Sequence, residues 1–330
     1  MTPFDEPTMN AMPIRLHPLA AVAVHRLWQA VLVALIVGTL TFFLMRLLPG
    51  DMAFRVAASR YGYDLVNAAA AEAVRAELGL DRPLWQALAA WWGDLLRLNL
   101  GTSLVSGEPV LHELAHELGH TLHLSVVALL LSALLGVPLG VLAGRRPGGW
   151  LDRTTLMMAV LLRALPPFVL GLGLILMLAV QLSVLPAAGH GEHGNLVLPA
   201  LTLALPLAAL SCRVARDAMV SVGSSAYFAF ALTKGLGERQ ALLRHGLRNV
   251  GVPVVAYLGV QMVVLVEGVV VVETLFARPG VGHALVHAIF GRDVPMIQGA
   301  ALAMGLLFVL FNTLVDLACQ AIDPRRGAGP

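Results

Sequence analysis

Six long apolar stretches, separated by shorter polar ones, set the pattern of this chain of 330 residues. Because about 20 apolar residues cross the hydrocarbon core of a bilayer as a helix, the pattern predicts an all-α, polytopic membrane protein with six transmembrane helices. The composition agrees, since 13% of the residues are charged against about 25% in soluble domains. The apolar stretches span residues 27–48, 121–143, 154–182, 196–215, 252–276 and 297–319.

The polar connections predict how these helices are oriented. Arginine and lysine occur in the loops 144–153 and 213–250 and in the C-terminal tail, whereas loop 183–195 has neither. Short connections rich in these residues usually stay in the cytoplasm, so we expect both termini inside the cell. The chain then divides into a cytoplasmic tail, a first transmembrane helix, an extracytoplasmic helical segment, a five-helix core and a second cytoplasmic tail, at 1–26, 27–48, 49–120, 121–319 and 320–330.

Two short helices are predicted in the extracytoplasmic segment. Residues 67–78 are rich in strong helix formers. Residues 83–98 include Trp85, Trp91 and Trp92, and tryptophan is enriched at the level of the lipid headgroups. The second helix therefore either lies on the outer membrane surface or belongs to a small packed subdomain, and the sequence leaves both interpretations open.

Few residues inside the predicted spans depart from the apolar pattern. Gly136, Gly140 and Gly144 form a series of small residues at four-residue spacing, which favours close helix contact. Glu267 lies within the fifth span and Arg163 within the third. Ionisable groups in a membrane are costly and usually face an interior or a partner. Both residues are candidates for the lining of a path through the membrane: either the two side chains pair with each other, or Glu267 attracts a cationic group. Arg163 has the further alternative of extending its side chain to water.

The basic segment 234–253 lies between two apolar spans and is predicted to face the cytoplasm. A helical, basic loop on the inner face of a membrane is typical of a docking surface for a soluble partner. The chain itself has no GxxxxGK[ST] motif, so hydrolysis of ATP by a P-loop would need another polypeptide. It also lacks a basic, aromatic-rich stripe for nucleic acid, and we expect no resident cofactor.

Several short segments, in this order and spacing, resemble the permease subunits of bacterial ABC importers in the dipeptide, oligopeptide and nickel group. The matching segments are LGLDRPLWQ (78–86), LGTSLVSGEPV (100–110), GVPLGVLAG (136–144), KGL (234–236), LLRHGLRN (242–249), VVVVETLFARPGVG (269–282) and RDVPMIQG (292–299). The resemblance implies a type I transmembrane domain in the bacterial inner membrane. It also implies a second permease subunit, expected to be a related but different chain, two cytoplasmic ATP-binding subunits and an extracytoplasmic solute-binding protein.

The resemblance places a cytoplasmic coupling helix, which docks on an ATP-binding subunit, at residues 225–240. The expected coupling residues are Tyr227, Lys234, Gly235, Leu236, Arg239 and Arg244.

The sequence departs from the family pattern within this segment. Ala226, Ala229 and Leu232 stand where the family usually has an acidic residue and arginines. Docking therefore depends either on an apolar partner surface or on the basic residues that follow. Alternatively, this half of the segment only extends the fourth span along the membrane interface.

Histidines raise a separate possibility. Residues 112–116 read HELAH, a match to the HExxH motif of zinc proteases, which makes a membrane metalloprotease with Glu113 as the base an alternative. Because imidazole also binds nickel, nickel or a metal chelate is an alternative to short peptides as the imported cargo. An ATP-independent carrier is a third alternative and would be expected to show internal repeats and broken helices. The candidate metal ligands are His112, His116, His190, His193, His283 and His287.

Overall fold

The computed structural model describes residues 18–47, 51–62, 66–77, 82–188 and 195–322, and the regular elements in these ranges are helices. Five of them are long and apolar enough to span a membrane, namely α1, α5, α8, α11 and α13. In chain order the helices are α1 (Pro18–Leu47), α2 (Met52–Tyr61), α3 (Ala68–Glu77), α4 (Leu84–Leu96), α5 (Val110–Gly144), α6 (Trp150–Ala164), α7 (Pro167–Leu174), α8 (Val197–Gly223), α9 (Ala226–Thr233), α10 (Glu238–Ala241), α11 (Leu247–Leu275), α12 (Val281–Gly291) and α13 (Val294–Ile322).

The third predicted span, 154–182, is a broken helix and not a continuous one. α6 and α7 meet at an angle of 106°. Leu165, which precedes two prolines, is extended with φ −86° and ψ 126°, because a following proline disfavours the α region. After α7 the chain continues as a π-helical segment, Ile175–Gln181. Counted as one crossing, the bent pair brings the described chain to the six spans predicted.

α5 and α8 approach each other closely along the predicted glycine series. Gly136, Gly140 and Gly144 lie at four-residue intervals on α5 and face the backbone of α8. A Cβ atom added to them would lie 2.3, 2.2 and 2.6 Å from the carbonyl oxygens of Ala208, Cys212 and Arg216, respectively. Since real side chains do not approach so closely, glycine is required at this contact, and the prediction of close helix packing is confirmed.

A buried polar cluster joins α5, α8 and α11 in the middle of the bundle. The hydroxyls of Ser132 and Ser211 both lie 3.2 Å from Oε1 of Gln261, and Nε2 of Gln261 donates to the carbonyl oxygen of Leu207 at 2.8 Å. All three polar side chains are almost fully buried. Because each polar atom finds a partner within the bundle, the cluster holds three spans in register without exposing polar groups to lipid.

In its described residues, the segment predicted to be extracytoplasmic contains three short helices, of which α2 was not predicted. α2 and α3 pack through a small apolar core that includes Val56, Val74 and Leu104. α4 instead lies against α1, where the ring of Trp91 occupies the space beside Gly38. α2 and α3 therefore form a packed unit, whereas α4 packs on α1, and its position at the membrane surface stays a prediction.

The ends of two spans are tied together at the predicted cytoplasmic side. Arg26 on α1 forms an ion pair with Asp316 on α13 and donates to the side chain of Gln29 at 2.6 Å. α1 begins at Pro18, so the helix extends back into the predicted tail 1–26, of which residues 1–17 lie outside the described residues.

Candidate coupling surface and membrane-embedded charges

α9 lies in the first half of the predicted coupling segment, 225–240, and is a separate helix. α8 ends at Gly223, and Ser225 is extended with φ −78° and ψ 146°, so the chain turns before α9 begins. Phe228 and Ala231 on α9 are buried in an apolar cluster with residues of α8, α10 and α11, including Val222. α9 is therefore fixed to the ends of these helices and does not continue α8.

The opposite side of α9 presents an aromatic and basic face to solvent. Tyr227 and Phe230 are 44% and 60% exposed, and Nζ of Lys234 lies 4.7 Å from the centroid of the Phe230 ring. Residues spaced by three and seven positions share one face of a helix. Phe230 was not among the predicted coupling residues, although its position between Tyr227 and Lys234 places it on the same face.

Gly235 and Leu236 shape the end of α9. Gly235 has φ +86°, a left-handed conformation that only glycine adopts at little cost. Its N–H donates to the carbonyl oxygen of Leu232 at 2.9 Å, and the N–H of Leu236 donates to that of Ala231 at 3.3 Å, which is the usual way a glycine ends a helix. Leu236 then packs against the apolar cluster beneath α9.

Basic residues follow on exposed positions. Arg239 on α10 and Arg244 in the π-helical segment Leu242–Gly246 are both exposed. Glu238 forms an ion pair with Arg145 at 3.0 Å, which links α10 to the loop after α5. Because this pair is exposed, we expect it to contribute at most about 1 kcal/mol, so it orients the segment more than it stabilises the fold.

A better-shielded ion pair, which was not predicted from the sequence, joins α6 and α8 near the predicted coupling segment. Nη2 and Nε of Arg216 on α8 donate to the two carboxylate oxygens of Asp152 on α6 at 2.7 and 2.9 Å. The N–H of Gly148 also donates to Asp152, at 2.9 Å. The pair joins α6 to α8, and the contact with Gly148 adds the loop between α5 and α6.

Glu267 and Arg163 do not form the ion pair that was one of the two predictions for them: among the described residues, neither joins the other. Glu267 lies on an exposed stripe of α11 with Val260, Val264 and Val271. Arg163 is exposed near the end of α6 and lines a cavity of about 160 Å³ between α6, α7, α8 and α11. The alternative, that Glu267 lines a path, stays a prediction.

At the predicted outer end, Glu273 explains one of the family-like segments. Its carboxylate accepts from the hydroxyl of Thr121 at 2.7 Å and from the N–H of Gly282 at 2.9 Å, at the start of α12. Gly280 and Gly282 leave the space that this buried carboxylate occupies, since an added Cβ would lie within 2.1 and 2.9 Å of it. A negative group at a helix N-terminus is favourable, so Glu273 fastens α12 to α5 and α11.

Asp293 has a similar role at the start of α13. Its carboxylate accepts from the hydroxyl of Ser103 and from the N–H of Met296, the latter at 3.2 Å. Asp293 is almost fully buried. The contact fastens the loop before α5 to the last span, and it accounts for two further family-like segments, 100–110 and 292–299.

The histidines of the predicted outer end form pairs and no larger ligand group within the described ranges. Nε2 of His116 lies 3.3 Å from that of His120, and the rings of His283 and His287 are 4.4 Å apart. Burial lowers the pKa of His283, and His287 lowers it further.

The remaining histidine candidates do not complete a site in the described structure. His112 is exposed, and Glu113, the base expected in a metalloprotease, accepts a hydrogen bond from Ser106. His190 and His193 lie outside the described residues. The metalloprotease alternative therefore finds no support here.

Comparison with known proteins decides the class of this molecule. Residues 136–327, more than half of the chain, match the family described as binding-protein-dependent transport system inner membrane component. The chain belongs to this family. The matched range includes α9, Arg163, Glu267 and Glu273, and it confirms both the fold class and the resemblance predicted from the sequence.

Individual relatives extend the match to nearly the whole permease. A probable peptide ABC transporter permease protein of Sinorhizobium fredii is 38% identical over 309 residues, covering 91% of this chain and 97% of that protein. A glutathione transport system permease protein of Pectobacterium atrosepticum is 38% identical with the same coverage. A putative peptide transport system permease protein of Brucella abortus is 36% identical over 315 residues, with 93% and 99% covered.

These relatives identify the chain as a multi-pass, inner-membrane permease subunit of an ABC importer, in which ATP hydrolysis belongs to separate subunits. The alternatives of a metalloprotease and an ATP-independent carrier therefore have no support. The broken third span, which would also suit a carrier, occurs here within an ABC permease.

Proposed function

We propose that this permease imports short peptides, together with a second, related permease, two cytoplasmic ATP-binding subunits and an extracytoplasmic solute-binding protein. The named cargoes of the relatives, which are peptides and glutathione, support a peptide cargo. They favour it over nickel or a metal chelate. Both termini are proposed to lie in the cytoplasm, with α9 facing the ATP-binding subunits.

The exposed face of α9 carries this proposal. Tyr227, Phe230 and Lys234 are presented to solvent, whereas Phe228 and Ala231 fix the same helix to the bundle. A rigid helix with one anchored and one free face can pass a push from a partner to the spans. Closure of the ATP-binding subunits then favours one of two arrangements of the spans, because the partner contacts α9 differently in each.

Co-purification tests whether α9 is the docking surface. We expect the Phe230→Asp substitution to release the ATP-binding subunits from the detergent-solubilised importer, because a buried, unpaired carboxylate would replace an apolar contact. Phe290→Asp is the matched control, since Phe290 is 84% exposed on α12, at the opposite end of the bundle. The double variant Tyr227→Asp/Phe230→Asp places a second carboxylate on the same face. If both the single and the double variant retain the ATP-binding subunits as fully as the control does, α9 is not the docking surface.

The salt dependence of binding distinguishes docking through the apolar face of α9 from docking through the basic residues that follow it. If docking depends on Lys234, Arg239 and Arg244, retention of the ATP-binding subunits falls as salt rises, because salt screens exposed charges. The aromatic residues on the exposed face of α9 lead us to expect an apolar contact that withstands about 1 M salt. Loss of the ATP-binding subunits at that ionic strength would assign docking to the basic residues instead.

A further inference from the structure

An apolar groove runs between α1, α4, α5 and α13, at the end of the bundle opposite α9. Its volume is about 550 Å³, and its wall consists entirely of leucine, alanine and glycine residues. A Cβ atom added to Gly299 on α13 would lie 2.7 and 2.9 Å from the side chains of Val110 and Leu114 on α5, so these two helices meet and close the groove on one side. Ala115 and Ala303 belong to the wall, and their small side chains leave space between the leucines.

The length and depth of the groove match one leaflet of a membrane. On α13 it extends from Gly299 to Leu310, and on α5 from Leu111 to Leu122. Either stretch advances by eleven residues, a rise of about 16 Å, and one leaflet is about half of the ~30 Å hydrocarbon core. Both helices begin at this end of the bundle, and the stretch on α13 occupies the first part of the sixth predicted span, 297–319. The groove therefore lies at the depth of the acyl chains of that leaflet.

The volume of the groove favours a hydrocarbon chain over a protein helix. A helix with its side chains is at least about 10 Å across, so a helix as long as the groove would occupy roughly 1,300 Å³, more than the space present. Water is also a poor occupant, because a wall of leucine, alanine and glycine side chains offers it too few hydrogen-bond partners. An extended acyl chain, which is thin, apolar and as long as one leaflet, suits both the size and the chemistry of the groove.

Arg97 supplies a charge at the rim of the groove. It follows the last turn of α4 and lies between Leu95 and Leu98, which both line the groove. Leu96 and Leu98 are 84% and 71% exposed, as expected of side chains in contact with lipid. Arg97 is exposed and forms no ion pair within the described ranges, even with Asp94 one turn before it. A long arginine side chain at this level can reach the phosphate of a lipid headgroup, and basic residues attract anionic lipids.

We propose that this groove is a binding site for one anionic phospholipid, with an acyl chain along α5 and α13 and the headgroup phosphate at Arg97. Bound in this way, the lipid fills the space between α1, α4, α5 and α13 and becomes part of the half of the permease that lies opposite α9. The inference goes beyond the proposed function and does not depend on the cargo, because no step of transport enters it.

The phospholipid that stays bound to the importer tests the groove. The assembled importer is reconstituted into vesicles of equal parts phosphatidylglycerol and phosphatidylcholine and extracted again in mild detergent, and native mass spectrometry identifies the retained lipids. In Ala115→Trp the indole fills the groove, so we expect the most tightly retained phospholipid to be lost. Ala90→Trp is the matched control and keeps this lipid, because Ala90 is also exposed but lies on α4 outside the wall of the groove.

The same measurement tests recognition of the headgroup. In Arg97→Gln we expect the ratio of phosphatidylglycerol to phosphatidylcholine in the retained lipid to fall about fivefold, the effect of one basic residue near a membrane surface. Arg82→Gln, at an exposed position before the other end of α4, is the matched control and keeps the wild-type ratio. Because Arg97 lies on the surface, this variant still decides the question if Ala115→Trp fails to fold.

Several results would overturn the lipid site. Equal retention of lipid in Ala115→Trp and Ala90→Trp would show that the groove holds none, and an unchanged ratio in Arg97→Gln would show that no anionic headgroup is recognised there. Loss of the second permease from Ala115→Trp, with the lipid retained, would assign the groove to contact between the two permeases instead.

Discussion

At the scale of single residues, the contact between α5 and α8 depends on glycines, which have no Cβ atom. Gly140 faces the carbonyl oxygen of Cys212 so closely that even a methyl group has no room. Gly119, in the same helix, has nothing within 4 Å of an added Cβ. The four-residue spacing of small residues was sufficient to predict the contact, because this spacing leaves one continuous groove on a helix.

Substitution of these two glycines by alanine should therefore have opposite effects. We expect Gly140→Ala to lower the free energy of unfolding by about 1–3 kcal/mol, because the helices must separate. Gly119→Ala should be neutral or raise it by up to about 1 kcal/mol, because alanine loses less backbone entropy in a helix. Thermal unfolding of the purified permease in detergent measures both, and equal effects would contradict the close contact.

The role of Glu273 could not be predicted to the same depth. It lies in the family-like segment 269–282, but its partners, Thr121 on α5 and Gly282 at the start of α12, are distant in sequence or lie across a turn. The residue pattern of one helix does not reveal which hydroxyl of another helix its carboxylate will contact. Only the folded chain shows that Thr121 both donates to Glu273 and accepts from the N–H of Val281, at 2.9 Å.

Removing that hydroxyl tests the contact. Thr121→Val keeps the shape of the side chain but leaves the buried N–H of Val281 without a partner, so we expect a loss of about 1–3 kcal/mol in stability. Thr274→Val is the control, since Thr274 is exposed and its hydroxyl donates only to the carbonyl oxygen of Val270 in its own helix. A comparable loss in both variants, measured by thermal unfolding, would argue against a specific role for Thr121.

At the scale of elements, the chain shows where hydropathy alone fails. The stretch 154–182 is uniformly apolar, and its hydropathy predicts one straight helix. Pro166 and Pro167 were the available sign of a break, because two successive residues there cannot donate to a helix. Broken helices are tolerated inside membranes where other helices satisfy the freed backbone, and α7 packs on α8 and α11, for example through Gly171 against Leu275 and Thr202.

The two faces of α9 allow a testable prediction at this scale. Phe228 is buried against the bundle, whereas Phe230 is exposed. Replacing each of them by alanine should therefore affect the packing of α9 differently. We expect Phe228→Ala to weaken the docking of α9 on the bundle by about 3–5 kcal/mol and to speed amide hydrogen exchange across 226–233. Phe230→Ala should leave exchange almost unchanged, since exposed sites contribute about 0.5 kcal/mol or less.

Hydrogen exchange is the appropriate measurement because it reports the opening of one helix without global unfolding. Faster exchange limited to α9 in Phe228→Ala, with α5 and α8 unaffected, is the expected result. If Phe230→Ala loosens α9 equally, then the two faces of the helix are not distinct, and the assignment of an anchored and a free face is wrong.

At the scale of the whole molecule, composition and the order of short segments were enough to predict the class of protein. Both can be read along the chain without knowing which residues are in contact. The braces between spans were not predictable. Arg216 with Asp152 and Arg26 with Asp316 join elements that are far apart in the chain. They also lie at the same end of the bundle as α9, so the end that carries the proposed docking surface is the end at which the spans are tied together.

The orientation of that end is the last prediction, and it is made from charge alone. Glu108 lies before α5 and Gln240 lies on α10, at opposite ends of the bundle, and both are exposed. In a variant whose two native cysteines, Cys212 and Cys319, are replaced by alanine, a single cysteine is introduced at either position. We expect a membrane-impermeant maleimide to label Glu108→Cys in sealed spheroplasts, and Gln240→Cys only after the membrane is permeabilised. Because both side chains are open to solvent, labelling of both after permeabilisation is the internal control. Labelling of Gln240→Cys in sealed spheroplasts would place α9 outside the cell, where no ATP-binding subunit could reach it.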